Sequence, residues 1–199
     1  MKKVLASAIA VAGFGLMAGS VSVFGVRAPS APAAGTAFAA ETWPFLLDEW
    51  GAGDAFVCAP AQCGVKVEVF VRPKIGFCNC STGVADDQEL ERVADTDLVT
   101  PNALQIGPSR PIKVGWMKGL SRPYRAGNAA AKKPGSKEPG TKMISFALNS
   151  ACDVMVAVAT LGDGDPAAVE PAVLAFLRSD PMVQWARQEL GPESARGEN

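Results

Sequence analysis

The sequence predicts an α+β domain: an antiparallel sheet of hairpins, one helix on the connection after Cys80, and C-terminal helices packed on one face. Three observations predict it. Short segments alternate with a period of two, as where Val65, Val67, Val69 and Val71 interleave with Lys66, Glu68, Phe70 and Arg72. The end of the chain changes to helical spacing, with Val169, Val173, Leu174, Phe176 and Leu177, then Met182, Val183, Trp185, Ala186 and Leu190. Four of the five cysteines, Cys58, Cys63, Cys78 and Cys80, bracket the first alternating segment with sulfur at both ends.

Residues 1–39 read as an export signal. Lys2 and Lys3 precede an uncharged run, residues 4–26, rich in Ala, Val, Gly and Leu. Ala37-Phe38-Ala39 places small residues at the two positions a signal peptidase reads, so cleavage is expected before Ala40. The remainder, residues 40–199, is then a single disulfide-braced domain. Left in place, the apolar run is long enough to anchor the chain, with a Pro/Ala linker behind it. In both cases the leading lysines stay inside and the rest crosses. The Ala-rich leader points to a bacterium and hence to the periplasm.

Composition narrows the function. Removing Lys2, Lys3 and Arg27 from 19 basic residues leaves 16 against 20 acidic ones, a net charge of −4. A nucleic-acid partner is not expected from that balance. The 199 residues include no histidine, which removes Ser-His-Asp and Cys-His catalysis and histidine-bound metals. No catalytic constellation is found, and no cofactor is expected.

Taken in order, Trp43, Phe45, Leu46, Leu47 and Trp50 predict an amphipathic opening turn or short helix that lids the core. Residues 55–58 begin the first strand, residues 59–62 turn, and a second strand runs from Cys63 until Pro73 ends it for want of an N–H. Asp86 with Glu89 three residues on has the form of a capping box opening a helix over Leu90, Val93 and Ala94. Ile112, Val114 and Trp116 alternate, residues 117–120 turn, and residues 122–125 return. Residues 126–141 are rich in Pro, Gly and Lys and low in apolar content, which predicts a mobile basic loop. Two more strands follow, carrying Ile144, Phe146 and Leu148 and then Val154, Val156 and Val158. Pro166 opens the C-terminal helices, which Ser179-Asp180-Pro181 interrupts.

Five cysteines in an oxidising compartment are disulfide candidates: Cys58, Cys63, Cys78, Cys80 and Cys152. A Cys58–Cys63 bridge across the short loop is the simplest pairing, and Cys152 shares the parity of Val154, Val156 and Val158. Two other readings of the sulfur stand beside it. Four thiolates can bind zinc or copper(I), although the spacing matches no standard zinc ribbon. Cys78 and Cys80 can also form a redox pair closed across one residue.

From Arg110 to Lys142 nine basic residues face one acid, Glu138, which makes Arg110, Lys113, Lys118, Arg122 and Arg125 candidates for an anion-facing strip. The function expected is an exported, non-catalytic binding or assembly module that engages a protein or an anionic cell-envelope partner, with membrane contact only if the N-terminal segment is uncleaved. The alternative is a thiol-based redox or metal-handling protein built on Cys78 and Cys80.

Overall fold

In chain order, a computed structural model gives β1 (Phe38–Glu41), β2 (Asp54–Cys58), α1 (Pro60–Cys63), β3 (Val67–Lys74), α2 (Asp87–Val93), α3 (Thr96–Val99), β4 (Ala103–Gln105), β5 (Arg110–Val114), β6 (Met117–Ala126), β7 (Lys142–Ser150), β8 (Asp153–Thr160), α4 (Pro166–Leu177) and α5 (Asp180–Leu190). It describes residues 37–127 and 140–191. Residues 1–36 of the expected leader, residues 128–139 of the basic loop expected over 126–141, and the tail from 192 lie outside them. The fold is sheet-dominated. Eight strands, rather than the five to seven that the alternation suggests, form one antiparallel sheet in the order β1-β2-β3-β8-β7-β6-β4, and β5 pairs with β6 beside β4.

The C-terminal helices pack on one face, as expected, and α2 and α3 cover the other. Val69, Val71, Met155, Ala157, Ile144 and Phe146 point to one face and pack with Val173, Phe176 and Leu177 of α4 and Trp185, Ala186 and Leu190 of α5. On the opposite face Val154, Val156, Ala147 and Leu120 meet Leu90 and Val93 of α2, together with Val84 and Cys78. Tyr124, Met143 and Val158 continue that face toward Val99 of α3. Every residue of β8 is buried, so this strand feeds both clusters at once. Each aliphatic side chain so enclosed contributes about 1.5–3 kcal/mol.

Local signals explain the helices. Asp86 caps α2 by accepting from the Glu89 N–H at 2.8 Å. The reciprocal half of the expected box is diverted, since Glu89 accepts from the Asn79 N–H and pairs with Arg92 instead. Asp165 caps α4 ahead of Pro166, and Pro181 sits in the first turn of α5.

β3 begins at Val67 and not at Cys63, because Pro60–Cys63 form α1 and Gly64, at φ +77°, ends it. Three further strand boundaries differ from the sequence expectation. The turn after β5 is Gly115-Trp116, not residues 117–120, because Gly115 takes φ +55° and closes a two-residue hairpin with Val114 opposite Met117. Pro73 lies inside β3, not beyond it. β2 stops pairing at Val71, so at Pro73 the strand has β8 on one side and no ladder on the other. The third difference is β1, which takes in Phe38 and Ala39; the expected domain start at residue 40 falls within this strand.

The segment over residues 42–53 forms no helix. Trp43 and Phe45 close edge-on against Phe70, with centroids 6.1 and 4.7 Å away, and Trp50 packs on Phe77. Gly53 permits this crossing, since a Cβ there would strike the Val71 carbonyl, Arg72 and Trp43. Leu46 and Leu47 remain exposed.

Beneath this segment β3 carries charge at positions whose parity suggested solvent. Arg72 is 2% exposed, Lys74 5% and Asp95 3%. Asp95 accepts from Arg72 Nε at 2.6 Å and Nη2 at 2.9 Å, and lies 2.5 Å from Lys74 Nζ. Lys74 also donates to the Val93 carbonyl, and Arg72 donates to Asp48 at 2.7 Å. Burial by itself would lower the Arg72 guanidinium, but the hydrogen bonds to Asp95 and Asp48 outweigh it and hold the guanidinium above its usual range. The same contact holds the Asp48 carboxyl below its ordinary value.

Two bridges complete the frame. Cys58 is joined to Cys63 and Cys80 to Cys152, across sequence separations of 5 and 72. In the chain-entropy view these stabilise by about 2 and about 4 kcal/mol respectively.

Replacing Asp95 by Ala leaves two buried cations without their shared carboxylate and is expected to lower stability by about 3–5 kcal/mol in guanidinium unfolding. A loss below about 1 kcal/mol would show that water enters the cluster freely.

Candidate functional site

The β5–β6 hairpin brings two lysines together. Its register sets Lys113 directly opposite Lys118, both side chains exposed, on the face opposite Ile112, Val114 and Met117. Like charges directly opposite on a strand pair are destabilising. Among the described residues neither lysine has an ion-pair partner. Lys118 also stands opposite Asn149 of β7, whose side-chain oxygen accepts from the Val84 N–H at 3.3 Å.

A third cation arrives from the other side of the molecule. Arg178, the C-cap of α4, reaches round the β5 edge and donates from Nε to the Lys113 carbonyl at 3.0 Å. Lys113, Lys118 and Arg178 line a broad cleft of about 690 Å³ together with Val84, Leu120 and Asn149. No acid lines it. The geometry therefore offers an apolar floor under three cations, suited to a ligand with a negatively charged head and an apolar part.

The five basic residues singled out by sequence do not form one strip. Arg110 and Arg125 sit at β5 and β6 positions whose parity puts them on the α4 face, and Arg110 pairs with Glu170 of α4 at 3.0 Å. Glu170 also accepts from the Ser121 hydroxyl at 2.5 Å, so the smaller cleft beside it, about 370 Å³, holds balanced charge. Arg122 is buried on the α2 face and spends its charge on Asp87 and Glu91 of α2. Lys113 and Lys118 alone of the five line the three-cation cleft. Arg178 and Asn149 were missed, because 65 residues separate Arg178 from Lys113 and no local pattern links them.

The sulfur separates in the same way. Cys80 is bridged to Cys152, which leaves Cys78 as a thiol rather than as one half of a pair with Cys80. Cys78 is 6% exposed, its N–H donates to the Cys152 carbonyl, and its thiol points at the Ala151 carbonyl, 3.2 Å away. Burial, with the Glu89 carboxylate adding to it, pushes the thiol up. Such a thiol is a small buried hydrophobe, not a nucleophile. No group of three or more metal-binding side chains occurs among the described residues.

No protein-family model, curated protein or solved structure matches this chain. Fold and site are read from the molecule alone.

At pH 8 the raised thiol of Cys78 remains protonated and enclosed, so iodoacetamide should leave the native protein unmodified and label one cysteine after unfolding without reductant. Two or more thiols labelled in the native state would revive the redox reading.

Proposed function

We propose that this protein is an exported, non-catalytic binding module that holds an anionic, partly apolar ligand in the cleft rimmed by Lys113, Lys118 and Arg178. The observation that carries the proposal is the facing pair of lysines, without an ion-pair partner among the described residues, above an apolar floor. Arg110 and Arg122, by contrast, are met by acids from α4 and α2. Two disulfides, and no helix among the described residues long and apolar enough to cross a membrane, are consistent with export. The periplasm is the compartment this reading assigns. The ligand class follows from the lining: a carboxylate or phosphate meets the cations while an alkyl or ring portion lies on Val84 and Leu120.

Titration with dodecyl phosphate below its micelle concentration, followed by backbone NMR shifts, tests this. Shifts should concentrate at residues 82–85, 111–113, 118–120 and 149, and weaken between low and 0.3 M salt. Lys113→Glu with Lys118→Glu should lower affinity by about tenfold or more, whereas Arg125→Glu on the other face should not. Equal binding by all three proteins would remove the cleft from consideration.

A further inference from the structure

We infer that the exported protein keeps Phe38 and Ala39, and that its leader is removed between Arg27 and Phe38 and not at the Ala39–Ala40 bond. The inference rests on reading residues 1–26 as an export signal and is independent of the ligand cleft. Sequence spacing alone favours the later bond, because Ala37 and Ala39 are small residues in the two positions a signal peptidase reads. The fold gives that same stretch another task.

Phe38 is 3% exposed and belongs to the core beneath α4. Its ring stacks on Phe176 with centroids 4.5 Å apart, and Phe176 meets Phe56 at 4.8 Å. Along the backbone, Phe38, Ala39, Ala40 and Glu41 pair with Cys58, Val57, Phe56 and Ala55. A cut between Ala39 and Ala40 would remove two of these four pairs and empty a phenyl-sized volume beside Phe56 and Phe176. It would also strip the strand from Cys58, the fully buried half of the first bridge. A three-aromatic contact of this kind belongs to the mature domain, not to a discarded leader.

Cleavage upstream leaves all four pairs of β1 intact. β1 is the outermost strand and Ala37 is exposed. Suitable small residues recur there, with Gly35 and Ala37 ahead of Phe38 and Ala31 and Ala33 ahead of Ala34. The step is hydrolysis of one peptide bond by a signal peptidase: water gives its hydroxyl to the leader's acyl carbon and a proton to the new amino group of the mature chain.

Intact mass and N-terminal peptide mapping of the full-length gene product, recovered after export, test the inference. The expected first residue lies from 28 to 38; a chain beginning at Ala40, or one with its leader still attached, would overturn it. Ala39→Asp provides the second arm. Ala39 is exposed on an edge strand, so the fold accepts the substitution, and processing should proceed unchanged. Blocked processing would place the cut at Ala39. As a third readout, a chain starting at Ala40 should melt roughly 10 °C below one starting at Ala37, and equal melting temperatures would count against a structural role for Phe38.

Discussion

The constraint on which the structure depends is the burial of its central strands on both faces. β8 lies between β3 and β7 and exposes none of its eight residues. An antiparallel sheet can leave one face to water, but here Val154, Val156 and Val158 are as apolar as Met155, Ala157 and Ala159, so each side needs its own cover. The long C-terminal helices supply one cover. The other is assembled from pieces: α2, α3, the loop that carries Cys78 and the aromatic segment between β1 and β2.

A cover made of short pieces lacks the contact area of two long helices, and polar anchoring takes its place. Asp95, between α2 and α3, is drawn onto β3 by Arg72 and Lys74, and Asp48 ties the aromatic segment to the same guanidinium. Lys74 further holds the Val93 carbonyl at the end of α2, and the Cys80–Cys152 bridge fastens the loop ahead of α2 to the turn before β8. The charges are buried because the pieces close over them, and the pieces stay closed because the charges are paired. Breaking one member therefore acts on several segments together.

The cleft proposed as a binding site is a by-product of the same arrangement. α2 covers the opposite-face sheet near Leu120 and stops short of the β5–β6 turn, which leaves Lys113 and Lys118 at the uncovered margin. Where α2 does reach, its acids neutralise Arg122; where α4 reaches, Glu170 neutralises Arg110. Among the described residues Lys113 and Lys118 meet no acid from either cover. The positive charge gathered there is local and stands apart from the net negative charge of the chain.

By itself the sequence determined what depends on neighbours in the chain: the alternation of β3, β7 and β8, the Asp86 cap of α2, the proline-opened helices at the end and the short bridge from Cys58 to Cys63. Only the tertiary structure decided the rest. Phe38 read as part of a leader because its value lies in Phe56 and Phe176, far along the chain, and Arg72 read as a surface residue because Asp95 closes over it from 23 residues away. The basic stretch read as one strip because a list of charges carries no face, whereas the pleat of β5 and β6 sends alternate residues to opposite sides of the sheet. Periodicity reports whether a residue belongs to one face or the other; which face is covered, and by what, is fixed by contacts between segments that no local pattern encodes.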